Sequence, residues 1–170
     1  MQSMFLKIDG INGECIQDKF KDQIEIYSFS TGFSQPTSAL RSSEGGGTTA
    51  KPHCSELSFS KRYDIASPPI CQALWEGKTI AKAVLTLCRS DGEGLLDYLT
   101  ITLYNVIISN YNVSGGGDLP GETFSMNYSK IDISYKKQKD GGLPGGNAAA
   151  SYDLSGGKIG TVGSAPASAG

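Results

Sequence analysis

Histidine occurs once in the 170 residues, at position 53, and that scarcity excludes more chemistry than any feature present. A Ser-His-Asp arrangement would have to draw on His53, and no nucleophile-elbow pattern supplies its serine. A zinc site would need His53 and Cys54 with two more of Cys15, Cys71 and Cys88. Adjacent strand residues face opposite ways, however, and no C-x-x-C pair exists. The widely spaced cysteines read as buried free thiols. Neither sign of charge dominates, with 15 basic and 17 acidic residues, so nothing favours nucleic acid or an anionic membrane. No apolar run approaches a membrane span, and the opening MQSMFLKIDGI lacks a basic segment leading into a long apolar core. The expectation is a protein made soluble, with no removable secretory signal and no membrane insertion. Glycines 45 and 47 with Ala50 formally satisfy a dinucleotide fingerprint, but Lys51-Pro52 follows where a helix should begin. Gly156-Gly157-Lys158 likewise lacks the spacing of a phosphate loop. Carboxylates such as Asp91 and Glu93 lie in turns, the place of solvated charge. No catalytic residue, cofactor or metal is expected.

What is present is β-structure. The run Asp97 to Val113 is long, β-branched and aromatic and has no Gly or Pro, which makes it a central strand. Its apolar side chains alternate at Leu99, Ile101 and Leu103, and after Asn105 the run Val106-Ile107-Ile108 is apolar on both faces. Ile24 and Ile26 likewise hand over to Tyr27, Phe29 and Phe33, and Phe124, Met126 and Tyr128 to Ile131, Ile133 and Tyr135. Each parity slip predicts a bulge or bend, as strands of a small barrel or orthogonal sandwich require. Further strands are expected over Met4–Ile8, Ile24–Phe33, Leu57–Tyr63, Ala83–Cys88 and Glu122–Gln138, with a short last one over Ser151–Leu154. Ser90-Asp91-Gly92 turns one strand into the central one as a hairpin, and Gly115–Gly121 forms another turn. One helix is predicted: Ser67 as N-cap, Pro68 at the first helical position, Ile70, Cys71, Leu74 and Trp75 as the inward stripe, Gly77 as terminator. Thr37–Pro52 and Asp140–Ala150 have no apolar period and read as long loops. The small-residue stretch from Gly160 to Gly170 reads as a disordered tail, leaving residues 1–159 as one mainly β domain.

Five segments together resemble the hemolysin-coregulated protein (Hcp) family, the tube subunit of the bacterial type VI secretion system. They are MFLKIDGINGE, IEIYSFSTGFSQP, ELSFSKRYD followed by SPP, YLTITLYNVIISNY and the closing SYDLSGGK. Their order spans the whole chain before the tail. Two departures stand out: Phe20 lies where the family pattern has a histidine, and the tail is not a family feature. The resemblance implies a small barrel of two antiparallel sheets with one flanking α-helix. It also implies homo-hexameric rings stacked into a tube, and partners in the sheath, spike and effector proteins. The implied route leads from the bacterial cytoplasm to the extracellular space or a target cell. The alternative from another functional class is a small-ligand-binding β-barrel; a β-scaffold hydrolase built on His53 is the third.

Two surfaces follow as expectations. In the strand Ile24–Phe33, Ser28 and Ser30 share one parity and are assigned to the lumen, while Tyr27, Phe29 and Phe33 are assigned to the core. The long loop containing Leu40, Arg41 and Gly45, Gly46 and Gly47 is assigned to contact between stacked rings. The resemblance places such a loop there, and Leu40 and Arg41 are its expected anchors.

Overall fold

A computed structural model describes residues 2–37, 50–90, 92, 94–138 and 144–162. Twelve strands and one α-helix follow in order: β1 (Gln2–Ile8), β2 (Ile24–Ile26), β3 (Ser28–Ser30), β4 (Phe33–Ser34), β5 (His53–Cys54), β6 (Leu57–Arg62), α1 (Ser67–Glu76), β7 (Ile80–Ser90), β8 (Leu95–Gly116), β9 (Asp118–Asn127), β10 (Lys130–Gln138), β11 (Pro144–Asp153) and β12 (Lys158–Val162). The large sheet has the antiparallel order β2-β1-β7-β8-β10-β11-β12. The small sheet runs β3-β6-β9-β8, and β4 with β5 forms a separate two-stranded ribbon. The protein is therefore a mainly β sandwich of two antiparallel sheets with one flanking helix; among the described residues its hydrogen-bonded ladders do not run round into a closed cylinder.

The central strand is the element both sheets share. Up to Val106 it pairs with β7, and over Tyr104–Leu99 with β10; from Ile107 onward it pairs with β9. Between the two halves Asn105 adopts φ +50°, a left-handed conformation that Asn tolerates. The buried set accordingly passes from Ile101 and Leu103 to Val106 and Ile108, keeping the apolar side inward as the strand changes sheets. The other two slips do the same work. β2 belongs to the large sheet and β3 to the small one, with Tyr27 between them; β9 belongs to the small sheet and β10 to the large one, with Tyr128-Ser129 between them. The expected single strand Glu122–Gln138 is thus two strands in different sheets.

The core is filled between the sheets, with Leu6, Ile24, Phe59, Leu85, Leu103, Phe124 and Met126 among its residues. Helix α1 lies against β8 and adds Ile70 and Ala73. Two details of the helix differ from expectation. Ala66, not Ser67, is the N-cap; Ser67 is the first helical residue and is fully buried. Trp75 is 78% exposed, because the buried stripe runs through Ala66, Ile70 and Ala73 and leaves position 75 outside it. Gly77 ends the helix as predicted, at φ +59°, with its N–H bonded to the Leu74 carbonyl and that of Lys78 to Ala73. Gly77→Ala is expected to lower stability by about 1 kcal/mol, read by chemical denaturation, since alanine must take a left-handed conformation there. An unchanged midpoint would show that the helix ends equally well without it.

A second, smaller cluster lies on the outer face of the large sheet, where Phe5, Cys15, Phe20 and Cys88 are buried together. Phe20 stacks on Phe5 with centroids 4.3 Å apart. The residue that departs from the family pattern is therefore a packing residue here. All four cysteines are free, Cys15 and Cys88 buried and the other two half-buried.

Residues 144–162 hold more strand than their composition suggests. Residues 144–150, expected in a loop, belong to β11, which pairs with β10 over nearly its whole length. β12 carries the sheet three residues past Ile159 into the stretch read as a tail. Asn147, three alanines and two glycines have little strand preference, so the pairing is imposed by β10. The Gly115–Gly121 turn is likewise tighter than expected, confined to Gly117 at φ +95° between β8 and β9.

Candidate functional surface

His53 sits exposed on β5, opposite Ser34, and Cys54 faces the partly buried side; no metal-ligating cluster occurs among the described residues. Chemistry gives way to surface. The small sheet places neutral polar side chains in register across all four of its strands. One row runs Ser28, Ser60, Thr123, Asn112; the next runs Ser30, Ser58, Ser125, Asn110. Ser28 and Ser30 are both exposed. The row between them points the other way and is aromatic: Phe29, Phe59, Phe124 and Tyr111, with the Phe59 and Phe124 rings stacked at 5.1 Å. Alternation of hydroxyl and aromatic positions in the sequence produces this two-sided sheet directly.

The polar rows satisfy much of their own hydrogen bonding. The Ser28 and Ser60 hydroxyls are bonded at 2.5 Å and those of Ser58 and Ser125 at 2.8 Å. The Asn112 side-chain amide donates to that of Asn110 at 2.6 Å. None of the eight side chains carries charge. The surface is therefore hydrated and weakly interacting, without the long-range pull of an ionic patch.

Of the three aromatic residues expected to pack inward from this segment, only Phe29 does. Tyr27 is 55% exposed because it occupies the crossing between sheets; its N–H bonds the Ser60 carbonyl and its ring lies under the Arg62 guanidinium. Phe33 is 51% exposed because it has left the sandwich for the β4–β5 ribbon. The residues assigned to ring stacking, Leu40, Arg41, Gly45, Gly46 and Gly47, lie outside the described residues. The base from which that loop springs is described. It is the two-residue ribbon pairing Phe33 with Cys54 and Ser34 with His53, extended by a hydrogen bond from the Gln35 side-chain amide to the Ala50 carbonyl at 2.6 Å.

A buried ionic cluster was not among the sequence expectations. Lys61 and Glu122 stand opposite each other on β6 and β9, at inward positions, and both side chains are wholly buried. The Lys61 ammonium pairs with Glu122 and with Asp64, the latter at 2.6 Å, and donates to the Ser67 hydroxyl at 2.9 Å. Ser67 donates onward to Glu122 at 2.9 Å, and the Tyr111 hydroxyl donates to the other Glu122 oxygen. Burial, then the bonds to Glu122 and Cys71, push the Tyr111 hydroxyl far above its ordinary value, so it stays a donor. Asp64 also accepts the Ala66 N–H at 2.9 Å, fixing the turn that leads into α1. The cluster thereby fastens the helix to the inner side of the polar sheet. Parity was its one legible signal: Lys61 continues the buried series Leu57, Phe59, and Glu122 begins the series Phe124, Met126.

Comparison with known proteins gives this surface a context. Residues 5–135 match the family described as "Type VI secretion system effector, Hcp". Protein hcp1 of Pseudomonas aeruginosa is 34% identical over 146 residues, which is 84% of this chain and 89% of that protein. Among solved structures, one described as a type six secretion system protein superposes with a TM-score of 0.86 at 26% identity, over 94% of this chain and 100% of the other. Hcp1 from Salmonella typhimurium gives 0.76 at 30% identity, over 93% and 98%.

Proposed function

We infer a stacked-ring assembly from a fixed premise: this chain belongs to the Hcp family and is a structural tube protein of type VI secretion, not an enzyme. The family is a secreted one and assembles into rings and tubes. In the proposed assembly six copies close a ring, and rings stack coaxially. The proposed partners are the sheath outside the tube, the spike at its tip and effectors in its lumen. The proposed route runs from the bacterial cytoplasm to the extracellular space or a target cell.

The observation that carries the lumen assignment is the uncharged, self-bonded face of the small sheet, with Ser28 and Ser30 exposed at its edge strand. A wall of this kind wets readily and holds nothing strongly, which suits cargo that must enter, travel and leave. A small-ligand barrel would need a hollow interior, whereas Phe59, Phe124, Leu57 and Met126 fill this one to complete burial. The test has two readouts. Light scattering of the purified protein is expected to give a ring several times the 17.9 kDa subunit mass. Ser30→Arg is expected to leave that mass unchanged while weakening co-purification of cargo about tenfold, equivalent to about 1.4 kcal/mol. Cargo binding equal to that of the parent would remove Ser30 from the lumen wall.

A further inference from the structure

The polar face of the small sheet is not neutral from end to end. On β6 and the residue before it the outward parity reads Glu56, Ser58, Ser60, Arg62, so the two hydroxyl rows lie between a carboxylate and a guanidinium about 20 Å apart at strand rise. The guanidinium is answered. It lies over the Tyr27 ring, 5.6 Å from the centroid, in a cleft that also holds Glu14, Glu25 and Asp64. Glu56 is not answered. It is exposed, and among the described residues no hydrogen bond or ion pair reaches its carboxylate and no lysine or arginine lines its cleft.

The surroundings of Glu56 form a third row of the wall. Leu57 pairs with Met126 and Ile107 with Asn127, which sets Glu56 level with Asn127 and puts Ile107 next, about 10 Å away across two strand spacings. The row thus offers an anion, an amide and an apolar side chain that is 40% exposed. Ser30, Thr31, Gly32 and the exposed His53 bound the other flank, and the cleft measures about 610 Å³, room for a long side chain with its backbone. Its floor is held in place. The Ser55 N–H donates to the Gly32 carbonyl at 2.8 Å, and the Tyr128 hydroxyl donates to the Ser55 carbonyl at 3.0 Å. Burial above all pushes the Tyr128 hydroxyl up to about 12, so that donor keeps its proton.

We propose that this cleft binds a basic side chain of the cargo, with the charged head on Glu56 and the aliphatic stem laid toward Ile107. The inference rests on the lumen reading above and adds the chemistry that the wall selects. Lysine and arginine both have the required shape, an apolar stem ending in a cation. Arginine fits better, because its fork of donors serves the Glu56 carboxylate and the Asn127 amide oxygen together and its plane stacks on an imidazole. The neutral, self-bonded rows beside the cleft add no competing charge. Cargo is therefore held at one end of each subunit's wall and slides over the rest, and an ion pair open to water on one side retains it without trapping it.

The experiment uses the full chain, each variant first checked for ring mass by light scattering. Two short Gly-Ser peptides with a neutral fluorophore, one arginine-rich and one glutamate-rich, are titrated with it and binding is read by anisotropy. The arginine-rich peptide is expected to bind the parent, more weakly as salt rises, and to lose about fivefold in affinity for Glu56→Gln while Glu56→Asp stays close to the parent. Glu25→Gln, a carboxylate outside the cleft, is expected to change nothing, and the glutamate-rich peptide is expected not to bind. Equal affinity for the parent and Glu56→Gln, or the same loss from Glu25→Gln, would overturn the site. So would tighter binding by Arg41→Ala, which would make the chain's own loop the occupant. Ser28→Arg, on the wall but outside the cleft, separates this site from the reading beneath it. If Ser28→Arg loses cargo while Glu56→Gln binds the peptide as the parent does, the site falls and the lumen stands. If peptide binding needs Glu56 while Ser28→Arg retains cargo like the parent, this face is not the lumen wall and the proposal falls with that reading.

Discussion

Lys61→Met is expected to lower folding stability by about 3–5 kcal/mol, more than any other single substitution of a polar residue in the small sheet. The reason is arithmetic in the buried cluster. One cation serves two carboxylates, so deleting it strands Glu122, which is wholly buried, and leaves Asp64 with only backbone and hydroxyl donors. Deleting Glu122 is different. In Glu122→Gln the Lys61 ammonium keeps Asp64 at 2.6 Å, so the remaining pair is neutral and the expected loss is smaller, about 1–2 kcal/mol. Combining Lys61→Met with Glu122→Leu removes both charges at once and should cost at least about 1 kcal/mol less than the two single losses added together. Denaturation curves should be taken at one fixed protein concentration, because assembly contributes to apparent stability. A Lys61→Met loss below about 1 kcal/mol, or strict additivity in the pair, would mean that water reaches the cluster and that it does not hold α1 to the sheet.

The fold was legible where side-chain parity and sheet membership are the same fact. At Asn105, at Tyr27 and at Tyr128-Ser129 the alternation slips, and at each the chain passes from one sheet to the other. Alternation reports only which face is apolar, however, not whether the strand bends or breaks. The slip in β8 is a continuous strand with one left-handed residue, whereas the slip at Tyr128-Ser129 is a true interruption. Trp75 was misassigned for a related reason: the largest apolar residue drew the stripe toward itself, although Ala66 and Ala73, too small to draw notice, mark the buried side. Lys61 and Glu122 share the parity of buried neighbours, but charge argues against burial unless its partner is known, and the partner lies 61 residues away on another strand. The last strands were hidden by their composition, since pairing with β10 rather than local preference makes β11 and β12. The exposure of Ser28 and Ser30 was readable because one parity in a short segment suffices.

Shortening the loop between Thr37 and Ala50 is expected to abolish stacking of rings while leaving each ring intact. The structure supports separating the two effects. The segment is bounded by a ribbon that pairs Phe33 with Cys54 and Ser34 with His53, and by the bond from Gln35 to the Ala50 carbonyl, so its ends already lie side by side. An Asn-Gly turn joining Thr37 directly to Ala50 therefore preserves the base, and a shorter closed loop costs the folded state little or no entropy. The melting temperature should move by no more than about 3 °C. What is lost is the stretch carrying Leu40 and Arg41, the one large apolar side chain and the one guanidinium that could anchor it on a neighbouring ring. The double variant Leu40→Ala, Arg41→Ala should weaken stacking without removing the loop, which distinguishes a contact made by those side chains from one made by backbone or length alone. Negative-stain microscopy under conditions where the parent forms tubes should show single rings of the shortened protein, and secretion should fall to background. Tubes of ordinary length from the shortened protein would reduce the loop to a connection and place the stacking contact elsewhere on the ring.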